Sequence, residues 1–270
     1  MTSFLGWSGF QWIDVLAGLM SVLVMVDAFI GHYRSGFAVR AQYLPFASGV
    51  AVLISSVLTM LAPRQGWVLQ SLLITGGIAV VAGVIGAGYH HYFGITSKPG
   101  GYGWLLHHVM YHAPPLAPLA LSAVGALAMI AAKGLAGSRG VFGIPLRLAA
   151  LCVVAATLLG AALQAATLHY RGAFNNPLMY APLTTPVLAA AAILGLIITR
   201  AHWVLLAVAV LCWATLLVGF VGLGMHLRGF DRMMGGLRVA LPNILEGPAM
   251  TAPALFAGFA AAGLATLYLL

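Results

Sequence analysis

Carboxylates are almost missing from this sequence. Asp14, Asp27, Asp231 and Glu246 are the four acidic residues among 270. Only 6% of the residues are charged, against about 25% in a soluble globular domain. So few acids argue against a di-iron carboxylate centre, which draws several Glu ligands from facing helices. Cysteine is equally scarce. Cys152 and Cys212 each stand alone in an apolar run, which argues against a disulfide framework or a thiolate metal site, and both are expected to be inert core residues. No CxxCH occurs, so haem is not attached covalently to this chain. A phosphate loop, a Walker motif, HExxH and a Ser-His-Asp arrangement are also absent.

What the chain has in quantity is apolar surface. Hydrophobic residues make up 62% of it, and glycine occurs 33 times. This is the composition of a protein dissolved in a bilayer, with small residues letting helices approach closely. A formal charge of +8 would point to nucleic acid in a soluble protein. Here the basic residues lie between apolar segments, where they set topology and meet lipid headgroups, and no nucleic-acid partner is expected.

A membrane-spanning helix needs about 20 apolar residues. Such runs fall near 12–31, 43–63, 68–88, 115–135, 147–168, 182–200, 203–225 and 250–270, the sixth and seventh separated only by "RAHW". The first run has no basic leader and no small-residue cleavage site, so it is expected to remain as a span. The fold class expected is all-α: a polytopic membrane protein of about eight transmembrane helices. Both termini then share one side, whose short loops carry Arg64, Lys133, Arg139, Arg147 and Arg200. Short basic loops face the cytoplasm. The expectation is therefore a bacterial inner-membrane protein with cytoplasmic termini and long external loops.

Of the nine histidines, His32, His90, His91, His107, His108, His112, His169 and His226 fall on the external side, and only His202 lies opposite. Their placement follows a duplication. "GHYRSGFAVRAQYLP" from Gly31 aligns with "LHYRGAFNNPLMYAP" from Leu168 at an offset of 137 between the two HYR triplets. His32, Tyr33 and Arg34 meet His169, Tyr170 and Arg171; Phe37 meets Phe174, Tyr43 meets Tyr180, and Asp27 meets Gln164. "GAGYH" ending at His90 matches "GLGMH" ending at His226, and Gly100–Gly101 matches Gly235–Gly236. "HAPPLAP" matches "EGPAMTAP" with one insertion, so His112 faces Glu246. The chain is expected to hold two parallel four-helix repeats, 1–138 and 139–270, superimposing by rotation about the membrane normal.

Four histidines are thus repeated: His32, His90, His169 and His226. At a helix end an imidazole can simply cap the dipole, or it can supply an axial nitrogen to a cofactor. The cofactor expected is haem b near the external surface, held by pairs within a half or across the axis. His91, His107, His108 and His112 belong to the first half alone and are candidate metal ligands. "WLLHHVMYH" should form a short amphipathic helix with His108 and His112 one turn apart. Asp27 and Gln164 lie at matched depth within spans, either hydrogen-bonding in the bundle or exchanging protons with quinone. Arg34, Arg171, Arg228, Arg232 and Arg238 are suited to lipid headgroups or an acidic partner surface. The long external loops near 89–114 and 226–249 are expected to dock a partner.

The runs "HYRGAFNNPLMYAPLTTP" and "GGLRVALPNILEGPAMTAP" resemble those of bacterial integral membrane proteins that accompany flavin-dependent dehydrogenases of the glucose-methanol-choline (GMC) type. The resemblance implies a membrane subunit that passes electrons from an external dehydrogenase toward quinone; the partners expected on the His-rich face are a periplasmic dehydrogenase or cytochrome subunits. The residues by themselves leave two other readings open: a small-molecule transporter, since fused parallel repeats are a transporter architecture, and a His-liganded membrane metalloenzyme.

Overall fold

The computed structural model of the chain describes residues 3–199, 201–247 and 249–269. Among them are ten α-helices and two short β-hairpins. The first half contains the hairpin β1–β2 (Ser3–Phe4, Trp7–Ser8), then α1 (Gly9–Arg34), α2 (Leu44–Leu61), α3 (Gly66–His91), the short α4 (Leu105–Tyr111) and α5 (Leu119–Leu135). The second contains β3–β4 (Gly140–Val141, Ile144–Pro145), α6 (Leu146–Arg171), α7 (Ala181–Thr199), α8 (His202–Asp231), the short α9 (Ala240–Glu246) and α10 (Thr251–Thr266).

Local chemistry sets the ends. Ser8 opens α1 with a capping box: its hydroxyl accepts from the Gln11 amide, and the Gln11 side chain accepts from the Ser8 amide. Pro45 sits in the first turn of α2, where a missing N–H costs nothing. Each hairpin turns on two residues with positive φ, Leu5–Gly6 and Phe142–Gly143, as a two-residue turn matched to strand twist requires.

Those turns are one of several local correspondences between the two halves among the described residues. Positive φ recurs at Gly36–Phe37 and Ala173–Phe174, and again at Gly100–Gly101 and Gly235–Gly236. The 3₁₀ turn Arg40–Tyr43 has its counterpart in Pro177–Tyr180. The sequence offset is 136 at His90 and His226 but 135 at Gly100 and Gly235, so the first half has one extra residue between those points. A π-turn, Tyr92–Thr96, absorbs it where α8 continues as ordinary helix.

Seven helical segments among the described residues are long and apolar enough to cross a membrane. Large apolar side chains such as Ile54, Val81, Leu163 and Val210, in the middle of α2, α3, α6 and α8, are more than half exposed on the outer surface. Only lipid makes that arrangement favourable, so the chain is a multi-pass membrane protein. The span expected over 115–135 is shorter than anticipated. Residues 115–118 form a turn, and α5 has 17 residues, about 26 Å at 1.5 Å per residue against a hydrocarbon core of about 30 Å. It tolerates this because it sits inside the protein, packed on α1, α3 and α6, with ten of its residues buried.

In each half four long helices close a ring: α1, α2, α3 and α5, then α6, α7, α8 and α10. The rings meet through α1 with α10 and α5 with α6. Met20, Leu127, Leu158 and Phe259 are fully buried at this centre. Cys212 is buried as expected, but Cys152 is not a core residue: it is exposed on α6. Its neighbour Leu151 takes the inward position, because adjacent helical residues point about 100° apart.

Candidate functional site

The four repeated histidines lie near the C-terminal ends of α1, α3, α6 and α8, and all four are half-buried. Each makes the same hydrogen bond with the same ring nitrogen. His32 Nδ1 meets the Gln42 carbonyl at 3.1 Å, and His169 Nδ1 meets the Met179 carbonyl at 2.9 Å. His90 Nδ1 meets the Pro114 carbonyl at 2.8 Å, and His226 Nδ1 meets the Ala249 carbonyl at 2.7 Å. A carbonyl oxygen only accepts, so Nδ1 carries the proton and donates it. A neutral ring in this tautomer presents Nε2 as a bare lone pair. Metal-ligating imidazoles are oriented this way. The same bonds also tie each helix end to the loop that follows.

Within the first half the His32 and His90 rings stand 6.1 Å apart, edge to face. In the second half the matched pair, His169 and His226, lies near the ends of α6 and α8. With metal–nitrogen bonds of about 2.0–2.1 Å, two imidazoles on opposite sides of one ion have centroids about 6 Å apart. Paired imidazoles in this tautomer are a donor set that suits haem iron or another metal centre.

The repeated arginines work differently, by reaching into the opposite half. The Arg34 guanidinium donates to the Leu245 carbonyl and, at 3.0 Å, to the Gly247 carbonyl, closing the C-terminus of α9 with a cation. Arg171 lies 5.4 Å from the ring centre of Tyr111 at the end of α4. The HYR triplet thus joins an intra-half tether to an inter-half clamp. Arg34→Ala strips two carbonyls of a charged donor and is expected to cost about 1–2 kcal/mol. Arg171→Ala loses a partly hydrated cation–π contact and should cost about 1 kcal/mol or less. Thermal unfolding of both variants in the same detergent checks the order.

Asp27 accepts from the Thr251 hydroxyl at 2.7 Å, joining α1 to α10. Leu116 occupies the position matching Thr251, so Gln164, half-buried on α6, has no equivalent threonine.

The first-half histidines divide. His91 stands apart, its Nε2 2.5 Å from the Tyr102 hydroxyl. His107, His108 and His112 converge at the end of α4, with one ring nitrogen from each within 4.8 Å of the others. His107 is exposed and packs on Trp104 and Tyr111, whereas His108 is buried. Lost solvation, then the charges of Lys98, His108 and His107, lower the pKa of His112 from the usual imidazole value and favour its neutral form.

One buried group escaped the sequence reading. Asp14 on α1 is 1% exposed, its Oδ1 has no hydrogen-bond partner among the described residues, and it lines a cavity of about 80 Å³ with Gln11 and Thr59. The signal that would have found it is the polar face of α2, where Ser48, Ser55, Ser56 and Thr59 recur at helical spacing and are all buried.

No protein family, curated protein or solved structure matches this chain. The site is therefore interpreted from its own geometry.

Proposed function

We propose that this protein is the membrane electron-transfer and anchoring subunit of a bacterial respiratory dehydrogenase complex. In this reading His32 with His90, and His169 with His226, hold b-type haem near the external face of the plasma membrane. The observation that carries it is a fourfold repetition: four imidazoles at matched positions, each with Nδ1 engaged by a backbone carbonyl and Nε2 without a hydrogen-bond partner among the described residues. Bound haem supplies a one-electron carrier. The Gln42, Pro114, Met179 and Ala249 carbonyls orient the rings and raise their basicity as ligands. Asp27, about one turn below His32, is the group suited to exchange a proton with quinone. The termini then face the cytoplasm, and the histidine-bearing face meets a periplasmic dehydrogenase or cytochrome subunit.

The visible spectrum of the detergent-purified protein tests this reading. Reduced-minus-oxidised bands of b-type haem are expected, and a colourless protein expressed with haem in supply would retire the idea. The docking part rests on apolar side chains of the external loops that lie outside the long helices. Trp104, Leu106, Leu237 and Leu241 are each about 60% exposed there. The native protein is expected to co-elute with another subunit in mild detergent. Purification as a lone monomer from its native membrane is the contrary result.

A further inference from the structure

Position 108 and its counterpart 243 do the same structural work with different side chains. His108 Nε2 lies 3.1 Å from the Pro99 carbonyl, tethering α4 to the loop before it. In the other half Asn243 Nδ2 bonds the Gly236 carbonyl at 2.8 Å and reaches the Met234 carbonyl, the counterpart of Pro99, at 3.4 Å. Both side chains are buried, 3% exposed for His108 and 7% for Asn243. An amide N–H is therefore enough to hold this loop. Imidazole adds something the tether does not use. With Nε2 donating to a carbonyl, Nδ1 is the bare nitrogen, and it is buried without a hydrogen-bond partner among the described residues.

A buried acceptor with no partner is unfavourable, so an unused nitrogen here is a burden unless something binds it. Two more imidazoles stand beside it. The His108 and His112 rings are 5.2 Å apart, those of His107 and His112 6.0 Å, and those of His107 and His108 5.7 Å. A first-row ion with bonds of about 2.0–2.1 Å would hold three nitrogens about 3.4 Å apart. The trio, at 4.8 Å or less, has to contract by about an ångström. His107 is exposed and His112 caps the helix end, so both rings can move toward the buried His108.

We propose that His107, His108 and His112 form a mononuclear copper site on the external face, with His108 Nδ1 as its buried anchor. The set contains neither carboxylate nor thiolate. Imidazole suits copper, zinc, iron and nickel, and copper(II) leads the divalent series in affinity for such nitrogen sites. Three protein ligands leave a coordination position open to solvent or to a partner's group. The matched helices α4 and α9 pair His112 with Gly247, the residue after each helix, and not with Glu246 as the sequence alignment had it; position 242 is proline and 243 is asparagine, so the second half has no equivalent trio. The site belongs to the first half alone and stands independently of the haem reading, since it shares no ligand with the repeated quartet.

The test uses tag-free, chelator-stripped full-length protein in detergent, titrated with copper(II) against glycine as competitor. One equivalent is expected to bind, with a paramagnetic resonance spectrum showing nitrogen hyperfine structure. His108→Asn installs the side chain that the other half already uses as a tether, so the loop is expected to stay folded while copper affinity falls about 100-fold or more. Loss of a supporting group around a metal site already costs about 10–100-fold. His107→Ala, at an exposed position, should weaken binding as well, and His91→Ala should not. The proposal is overturned if the stripped protein binds no copper, if zinc alone is retained against the competitor, or if His108→Asn binds copper as tightly as the parent.

Discussion

Replacing His90 by alanine is expected to remove about half of the Soret absorbance of the purified protein and leave the other half intact. The His32 and His90 rings are 6.1 Å apart and belong to one helical ring, whereas His169 and His226 belong to the other. Two centres per chain follow from the proposed function, each lost when either of its ligands is lost. The double variant His32→Ala/His90→Ala should then lose no more than either single variant, because residues acting as a unit are non-additive. His32→Ala/His169→Ala should lose nearly everything. If pairing crosses between the halves instead, His32→Ala/His90→Ala empties both centres. Were all four histidines merely caps of helix dipoles, each substitution would cost about 0.3–1 kcal/mol and leave absorbance and electron transfer unchanged. Full retention in all four single variants would falsify haem ligation by this quartet.

The second large effect is on assembly. Gly83→Ala and Gly219→Ala are expected to destabilise the protein by about 1–3 kcal/mol each, and leucine at either position should prevent recovery of folded protein. At Gly83 a Cβ would lie 2.2 Å from the Ser122 hydroxyl and 2.7 Å from the Pro118 carbonyl. At Gly219 it would lie 2.7 Å from the Pro253 carbonyl and 2.8 Å from the Ala257 amide. Apart from the Ser122 hydroxyl the obstacles named are backbone atoms, so α5 or α10 must move away from its neighbour as a body. That motion would also loosen the Ser122 to Val80 hydrogen bond, 2.9 Å long, between α5 and α3. Gly160 is the control, since a Cβ there meets nothing within 4 Å. Gly160→Ala should be neutral or raise stability by up to about 1 kcal/mol, because alanine lowers the entropy of the unfolded chain. Thermal unfolding followed by size-exclusion fluorescence in one detergent compares all three. Equal melting temperatures for Gly83→Ala and Gly160→Ala would show that the α3–α5 contact is not tight.

Much of this protein is determined by the sequence alone, because the relevant signals are local or strictly repeated. Long apolar runs with few charges allow only helices in a bilayer, where each backbone polar group must be satisfied within its own segment. The HYR triplets and the paired glycines are legible because identical residues recur at nearly constant spacing, and the backbone turns with them at Phe37 and Phe174. The π-turn at Tyr92–Thr96 is visible in outline as the single residue by which the offset slips.

The tertiary structure decided what those residues do. Which nitrogen of each histidine is free depends on carbonyls that lie 10, 24, 10 and 23 residues away, and periodicity does not encode contacts at that range. His91 and His107 look alike in sequence, yet one pairs with Tyr102 and the other joins His108 and His112, since helix phase and the turn after α3 aim them apart. Arg34 and Arg171 have the same neighbours in sequence but clasp different partners, Leu245 and Gly247 against Tyr111, because the loops they meet have diverged. Asp14 and Cys152 both sit in apolar runs, and only the packing of α1 on α2 and the outward face of α6 put the acid inside and the thiol outside. A helix fixes the angular order of its side chains, but burial is settled by which side its neighbours occupy, and that is a property of the assembled bundle.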